Sequence, residues 1–166
     1  LALRGATERA PLGFRILQFS VQWDHVHLVV EASDKRALSE GMRSVAIRVA
    51  LSVNRLVRRR GALWADRWHG RALTSPREVR HAFAYVLLNF RKHAKTSASG
   101  VDAFSSASRF DGWRGFSQGS ELPRAGPPFH GAMARYVVVS SPKTWLARTG
   151  WRRSGLIRLD EAPGAS

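Results

Sequence analysis

The apolar positions change their spacing several times along the chain, and each change marks an element. Residues 14–22, Phe14-Arg15-Ile16-Leu17-Gln18-Phe19-Ser20-Val21-Gln22, are rich in β-formers and predict a strand. With Trp23 and Asp24 as a turn, residues 25–31 predict a second strand antiparallel to the first. From Lys35 the spacing becomes helical. Leu38, Met42, Val45, Val49, Val53 and Leu56 follow in steps of four and three, with Ser33 or Asp34 as N-cap and Gly61 as the stop. A second helix is delimited by Ser75 at the N-cap, Pro76 in the first turn and Glu78 completing a capping box. Its buried stripe is Val79, Phe83, Val86, Leu87 and Phe90, and a short strand-like run, Arg71-Ala72-Leu73, precedes it. From Lys95 onward the composition shifts to Ser, Gly, Ala and Pro, with a short strand expected at 136–139 and a short helix at 142–148 capped by Ser141. The expected organisation is one α+β domain over residues 1–94 and a basic tail over 95–166 with little regular structure.

His25 and His27 stand at the start of the second strand with one apolar residue between them. Successive strand side chains point to opposite faces, so the two imidazoles share one face while Val26, Leu28 and Val30 share the other. Such a pair suits a divalent metal; it also suits two partly buried histidines bonded to backbone or loops. On the second helix His81, Tyr85, Asn89 and His93 recur every four residues on a face distinct from the apolar stripe, which makes Tyr85 and Asn89 neighbours one turn apart. Asp24 reads as a turn residue or as an acceptor orienting an imidazole from behind.

Composition adds a partner class. With 166 residues and 44% hydrophobic content the chain is long enough for one domain with a real core. Lys and Arg number 27 against 12 Asp and Glu, a net charge of +15. The isoelectric point of about 11.7 points to a polyanion such as nucleic acid, or to a solvated basic surface. Arg43, Arg48, Arg55, Arg58, Arg59 and Arg60 lie on or after the polar side of the first helix, where the last of them also complement the helix dipole. Trp64, Arg67, Trp68, His69 and Arg71 interleave rings that stack on unpaired bases with cations that hold phosphates. Packing competes for both rings; Trp64 is assigned mainly to the core, and Trp68 stays open. The absence of cysteine excludes disulfides, thiolate zinc sites and cysteine nucleophiles. No apolar run approaches a membrane span and no signal-peptide pattern is present, so a cytoplasmic, nucleoid-associated protein without a membrane partner is expected.

A tyrosine can attack a phosphodiester when a metal withdraws charge from the non-bridging oxygens and holds phosphorus in line with the phenol. Strand 14–22, then Asp24-His25-Val26-His27-Leu28-Val29-Val30-Glu31, the long helix and Ala84-Tyr85-Val86-Leu87-Leu88-Asn89 together resemble the HUH single-tyrosine transposases, the insertion-sequence and REP-associated group that acts on single-stranded DNA. The resemblance covers roughly residues 10–95. It implies a ferredoxin-like antiparallel sheet with helices packed on it, His25 and His27 as metal ligands, Tyr85 as the nucleophile that forms a covalent 5′-phosphotyrosine, and Asn89 as the polar third ligand. A neutral amide is a weaker ligand than a carboxylate, so the implied ion is Mg²⁺ or Mn²⁺ with water completing its shell. The implied activity is single-stranded DNA nicking and rejoining, as monomer or homodimer. The implied partner is single-stranded or hairpin DNA, for which Arg55, Arg58, Arg59, Arg67, Trp68 and Arg71 are the candidate contacts. His81 and His93 are candidates to orient the phenol or touch a phosphate. This sequence departs from the family in two ways. A strand that family members carry before the first helix is expected to be missing, leaving the domain N-terminally incomplete, and Phe90 stands where a proline is common in relatives and is expected to continue the helix through Arg91. The alternative from another class is a catalytically inactive, domesticated or truncated nucleic-acid-binding protein.

Overall fold

Two antiparallel strands, β1 (Phe14–Val21) and β2 (Val26–Ala32), organise the computed structural model, which describes residues 10–93, 100–116, 122–125 and 139–162. The register pairs Ile16 with Val30, Gln18 with Val29 and Ser20 with His27, and Leu17 is the extra residue of a bulge. A one-residue slip reverses which face each side chain takes. Phe14 and Ile16 before the bulge, and Phe19 after it, therefore pack with Val45 and Val49 on one side, while Leu17 joins Val29, Phe83 and Leu87 on the other.

Helix α1 (Lys35–Leu56) covers the first side. Asp34 caps it, its Oδ1 accepting from Ala37 N at 2.8 Å. Gly41 sits mid-helix, where it costs about 1 kcal/mol against alanine; a Cβ there would lie 2.1 Å from the Phe14 ring, so the close approach of helix and strand requires glycine. The helix ends before Gly61, the expected stop. Arg58 takes a left-handed φ of 52°, with Arg59 N bonded to Asn54 O at 2.9 Å and Arg58 N to Arg55 O at 3.4 Å. This is a Schellman ending with arginine in the position glycine usually fills, and it turns Arg58 and Arg59 off the helix.

Helix α2 (Pro76–Leu88) lies on the other side of the hairpin and carries the expected Ser75/Glu78 capping box. Asn89 keeps right-handed helical angles, and a short α3 (Phe90–His93) follows it, so the chain continues helically past Phe90 as expected. Arg71–Leu73 is irregular rather than strand-like.

The later residues have little regular structure among those described: a parallel pair, β3 (Val101–Asp102) with β4 (Arg124–Ala125), a short α4 (Trp145–Arg148), and 3-10 turns at Ala107–Arg109 and Gly150–Ser154. They are not peripheral, however. Phe110, Trp113, Trp151 and Ile157 are buried in the same cluster as α2, and the Phe83 ring meets Phe110 at 5.7 Å and Trp151 at 5.5 Å. A Cβ on Gly112 would fall 2.1 Å from the Trp151 ring, so this core too closes over a glycine. Arg80 of α2 holds Glu161 with two bonds of 2.6 and 2.7 Å and donates to the Gly155 and Leu156 carbonyls at 3.1 Å. The expected boundary near residue 94 thus does not separate two packing units. Thr144, not Ser141, caps α4, and the Glu31 carboxylate accepts from Lys143 N, Thr144 N and Thr144 Oγ1. Of the strand expected at 136–139, only Val139 is among the described residues, and it is irregular.

The same segments close the outer edge of β1. Val21 N bonds to Phe104 O at 3.0 Å, Ser106 N to Phe19 O at 2.9 Å and Ser140 N to Ile16 O at 2.8 Å. The fold is mixed α+β, with helices packed on a small antiparallel sheet. No helix among the described residues is long and apolar enough to cross a membrane.

Two outcomes follow from this packing. Trp151→Ala should lower the unfolding free energy in urea by about 3–5 kcal/mol, the range for emptying a buried aromatic site; a tail packed only on the surface would leave it unchanged. Glu78 is held down to about 2 from 4.5 by bonds from Thr74 and Ser75. Because its folded value lies below its unfolded one, its stabilising contribution is complete above pH 4.5 and is lost as pH falls from 4.5 toward about 2. Glu78→Gln should flatten an acid-denaturation curve in that window.

Candidate functional site

The hairpin closes at Gln22 N, which donates to His25 O at 2.9 Å, and this sets His25 at the mouth of β2. Strand alternation places His27 on the same side, opposite Ser20. The two rings meet edge to face, centroids 4.6 Å apart, and their Nε2 atoms are 3.0 Å apart. Tyr85 comes from α2, whose apolar stripe is seated on that face of the hairpin; its ring lies 5.0 Å from the His27 ring at 77°. Asp24 Oδ1 is 2.6 Å from His25 Nδ1. Asp24, His25, His27 and Tyr85, distant in sequence terms by up to a whole helix and loop, are thus one cluster.

The proton assignments follow from Asp24. A carboxylate at Nδ1 fixes the tautomer in which Nδ1–H donates to it, leaving a lone pair on His25 Nε2. The His27 Nε2 stands 3.0 Å from it, within hydrogen-bond distance, with the donor set by the tautomer. The same spacing also suits a metal. Two nitrogens at about 2.1 Å from one ion in adjacent octahedral positions lie about 3.0 Å apart, which is the separation observed.

Asn89 supplies a second observation. It is 1% exposed, and neither its Oδ1 nor its Nδ2 has a hydrogen-bond partner among the described residues. An unmade bond on a buried polar group costs about 1–3 kcal/mol, so packing alone would favour an apolar side chain here. Its place one turn after Tyr85 puts that amide on the tyrosine's side of the helix. Among the described residues no group of three His, Cys, Asp or Glu is placed to hold a metal. His25 and His27 bring two ring nitrogens together at the hairpin mouth, and Asn89 stands one turn after Tyr85 on α2.

A buried carboxylate that sequence reasoning missed stands behind this face. Asp102 is within reach of Ser20 Oγ at 3.4 Å and Gln22 Nε2 at 3.5 Å and accepts from Phe104 N at 2.8 Å. Ser20 is the residue that faces His27 across the hairpin. Burial raises the Asp102 carboxyl above its usual value, against the lowering effect of those donors. Gln18 and Ser20 in β1 and Gln22 just after it form a polar alternation that signals a polar face; their partner lies in a Ser/Ala-rich stretch with no pattern to find.

The remaining expected contacts are placed elsewhere. Arg55 ends α1, and Arg58, Arg59, Arg67, Trp68 and Arg71 follow it on an exposed loop. Arg59 donates to Ala62 O at 2.6 Å, and Arg71 pairs with Glu78 at 3.2 Å. Trp68 is 48% exposed. Trp64, expected in the core, is 37% exposed and lies over α1, its Nε1 donating to Ala46 O at 2.9 Å; the indole needed that acceptor, and the helix flank offers it without burial. His81 is exposed on α2, and the side chain of His93 lies outside the described residues.

Comparison with protein-family models, with curated proteins and with solved structures returns no match for this chain.

The buried carboxylate has a testable signature. Its folded value lies above its unfolded 3.8, so the stability associated with its proton is present at low pH and falls as pH rises through that raised value. Asp102→Asn, which keeps the acceptor and removes the charge, should abolish that fall in a stability–pH series. Asp102→Ala should lose about 1–3 kcal/mol by stranding the Phe104 N–H and the Ser20 hydroxyl.

Proposed function

We propose that this chain is a metal-dependent, single-strand-specific DNA nicking and rejoining enzyme of the HUH single-tyrosine transposase type, with Tyr85 as nucleophile. The observation that carries the reading is the convergence of the His25 and His27 Nε2 atoms, 3.0 Å apart, with the Tyr85 ring at 5.0 Å from His27. The +15 charge supports a polyanionic substrate.

In the reaction the Tyr85 oxygen forms a bond to phosphorus as the bond from phosphorus to the 3′ oxygen breaks. The phenolic proton is balanced by the proton that the departing 3′ oxygen gains. Tyr85 then carries the 5′-phosphate as an ester, and attack by a 3′-hydroxyl reverses the step without ATP. Bound Mg²⁺ or Mn²⁺ supplies charge withdrawal from the non-bridging oxygens. His25 and His27 hold their nitrogens toward that position, Asp24 keeps His25 in the required tautomer, and Asn89 offers the amide. The basic loop after α1, with Arg55, Arg58, Arg59, Arg67, Trp68 and Arg71, offers cations and a ring to the strand outside the reacting phosphate.

The test is covalent trapping. Labelled single-stranded hairpin DNA incubated with the protein and Mn²⁺ should give a denaturant-resistant adduct, absent for Tyr85→Phe and for His25→Ala. Asp24→Asn should lower the apparent metal affinity by roughly 10–100-fold while leaving the adduct obtainable at high Mn²⁺. DNA binding that weakens with salt, with no adduct on any hairpin, would turn the reading to the catalytically silent binding protein.

A further inference from the structure

At the tip of the hairpin the chain places a tryptophan where neither packing nor turn geometry calls for one. Trp23 is 99% exposed. A two-residue hairpin link is ordinarily built from Gly, Asn or Asp in left-handed conformations. Here the link is Trp23 and Asp24, and neither has a positive φ. The indole thus contributes nothing to the core and nothing special to the turn, yet keeps a large apolar face in water. Its position gives it a use. Trp23 is two residues from His25, a separation of at most about 7 Å along an extended chain. Asp24, the intervening residue, is bonded to the His25 ring, so the tip is held to the histidine pair rather than free to swing from it. A second aromatic residue joins the same end through its backbone: Phe104, 45% exposed, has its carbonyl bonded to Val21 N, two residues before Trp23.

We propose that Trp23 is a base-stacking platform that receives the unpaired base next to the phosphate held at the His25–His27 pair, with Phe104 extending the same aromatic end. Every base has a π-face, so such a platform grips a single strand without reading its sequence and rejects a duplex, whose bases are already stacked. The inference rests on the single-stranded substrate proposed above but is independent of tyrosine chemistry.

Binding is measured by fluorescence anisotropy on the full chain in a chelator, where no cleavage occurs. Two labelled strands of equal length and charge are used, oligo-dT and an all-abasic strand. Trp23→Ala should weaken oligo-dT binding roughly tenfold. It should change binding to the abasic strand less than twofold and leave the salt dependence alone, since no phosphate contact is removed. Trp23→Phe should restore most of the loss. Equal weakening on both strands, or none on oligo-dT, would overturn the proposal, as would a wild-type protein that binds the two strands equally. That last measurement needs no variant. An intact stacking signature without a covalent adduct would instead remove only the role given to Tyr85.

Discussion

Everything in this chain hangs on β1 being buried on both faces and along its outer edge while carrying polar side chains inside. A buried amide or hydroxyl without a partner costs about 1–3 kcal/mol, so Gln18 and Ser20 can occupy that strand only if something polar is brought to them. Residues 102–106 are brought. Ser106 Oγ donates to Gln18 Oε1 at 2.6 Å, Phe19 N donates to Ser106 Oγ at 2.9 Å, and Asp102 meets Ser20 and Gln22. The backbone of the same segment takes the edge bonds of Phe19 and Val21, which removes the pairing edge a lone hairpin would expose. A hairpin of two strands is marginal in water by itself. Here it is held by α1 on one side, α2 on the other and a late segment along its edge. The separation between His27 on the hairpin and Tyr85 on α2 is set by that clamping.

What could be read from the sequence follows from which forces are periodic. The hairpin, both long helices, the Ser75/Glu78 box and the shared face of His25 and His27 all come from local rules of spacing and capping, and the structure has them. The bulge at Leu17 was hidden because a bulge leaves composition unchanged and alters only parity. The early end of α1 was hidden because the left-handed position is occupied by Arg58, while the glycine that advertises a stop stands three residues later. The role of the later half was hidden for a deeper reason. Phe110, Trp113, Trp151 and Ile157 enter the core singly, from turns and 3-10 segments, so no period links them. Their low-pattern surroundings read as a tail although the rings fill the centre of the molecule.

On the metal-dependent reading proposed above, the cluster at the hairpin mouth would put the same nitrogens to two uses. A hydrogen bond between imidazoles and two adjacent positions on an ion both ask for Nε2 atoms about 3.0 Å apart. On that reading the pair would keep its spacing in passing from one to the other. Asp24 Oδ1, 2.6 Å from His25 Nδ1, holds that ring in place, and the buried Asn89 amide lies one turn after Tyr85 on α2. Sites prepared in this way lose little binding energy to reorganisation, the advantage of a rigid first shell.

Local rules of stability fail in this chain at several places, Asn54 and Arg91 among them, and three of those places lie on the hairpin, the helix seated on it and the segment along its edge. Asn89 strands a buried amide one turn from Tyr85, Asp102 buries a carboxylate behind the residue facing His27, and Trp23 leaves an indole in water beside Asp24 and His25. Each would be improved, for folding alone, by a smaller or less polar residue. Sequences keep such violations where a site uses them and satisfy the same rules elsewhere. The helix caps at Asp34 and Ser75 and the aromatic packing around Trp151 are places where this chain satisfies them. Trp23 and Asp102 are tied to the imidazole pair through Asp24 and Ser20, and Asn89 follows Tyr85 by one turn; that shared neighbourhood is an argument for function there that does not depend on the identity of the reaction.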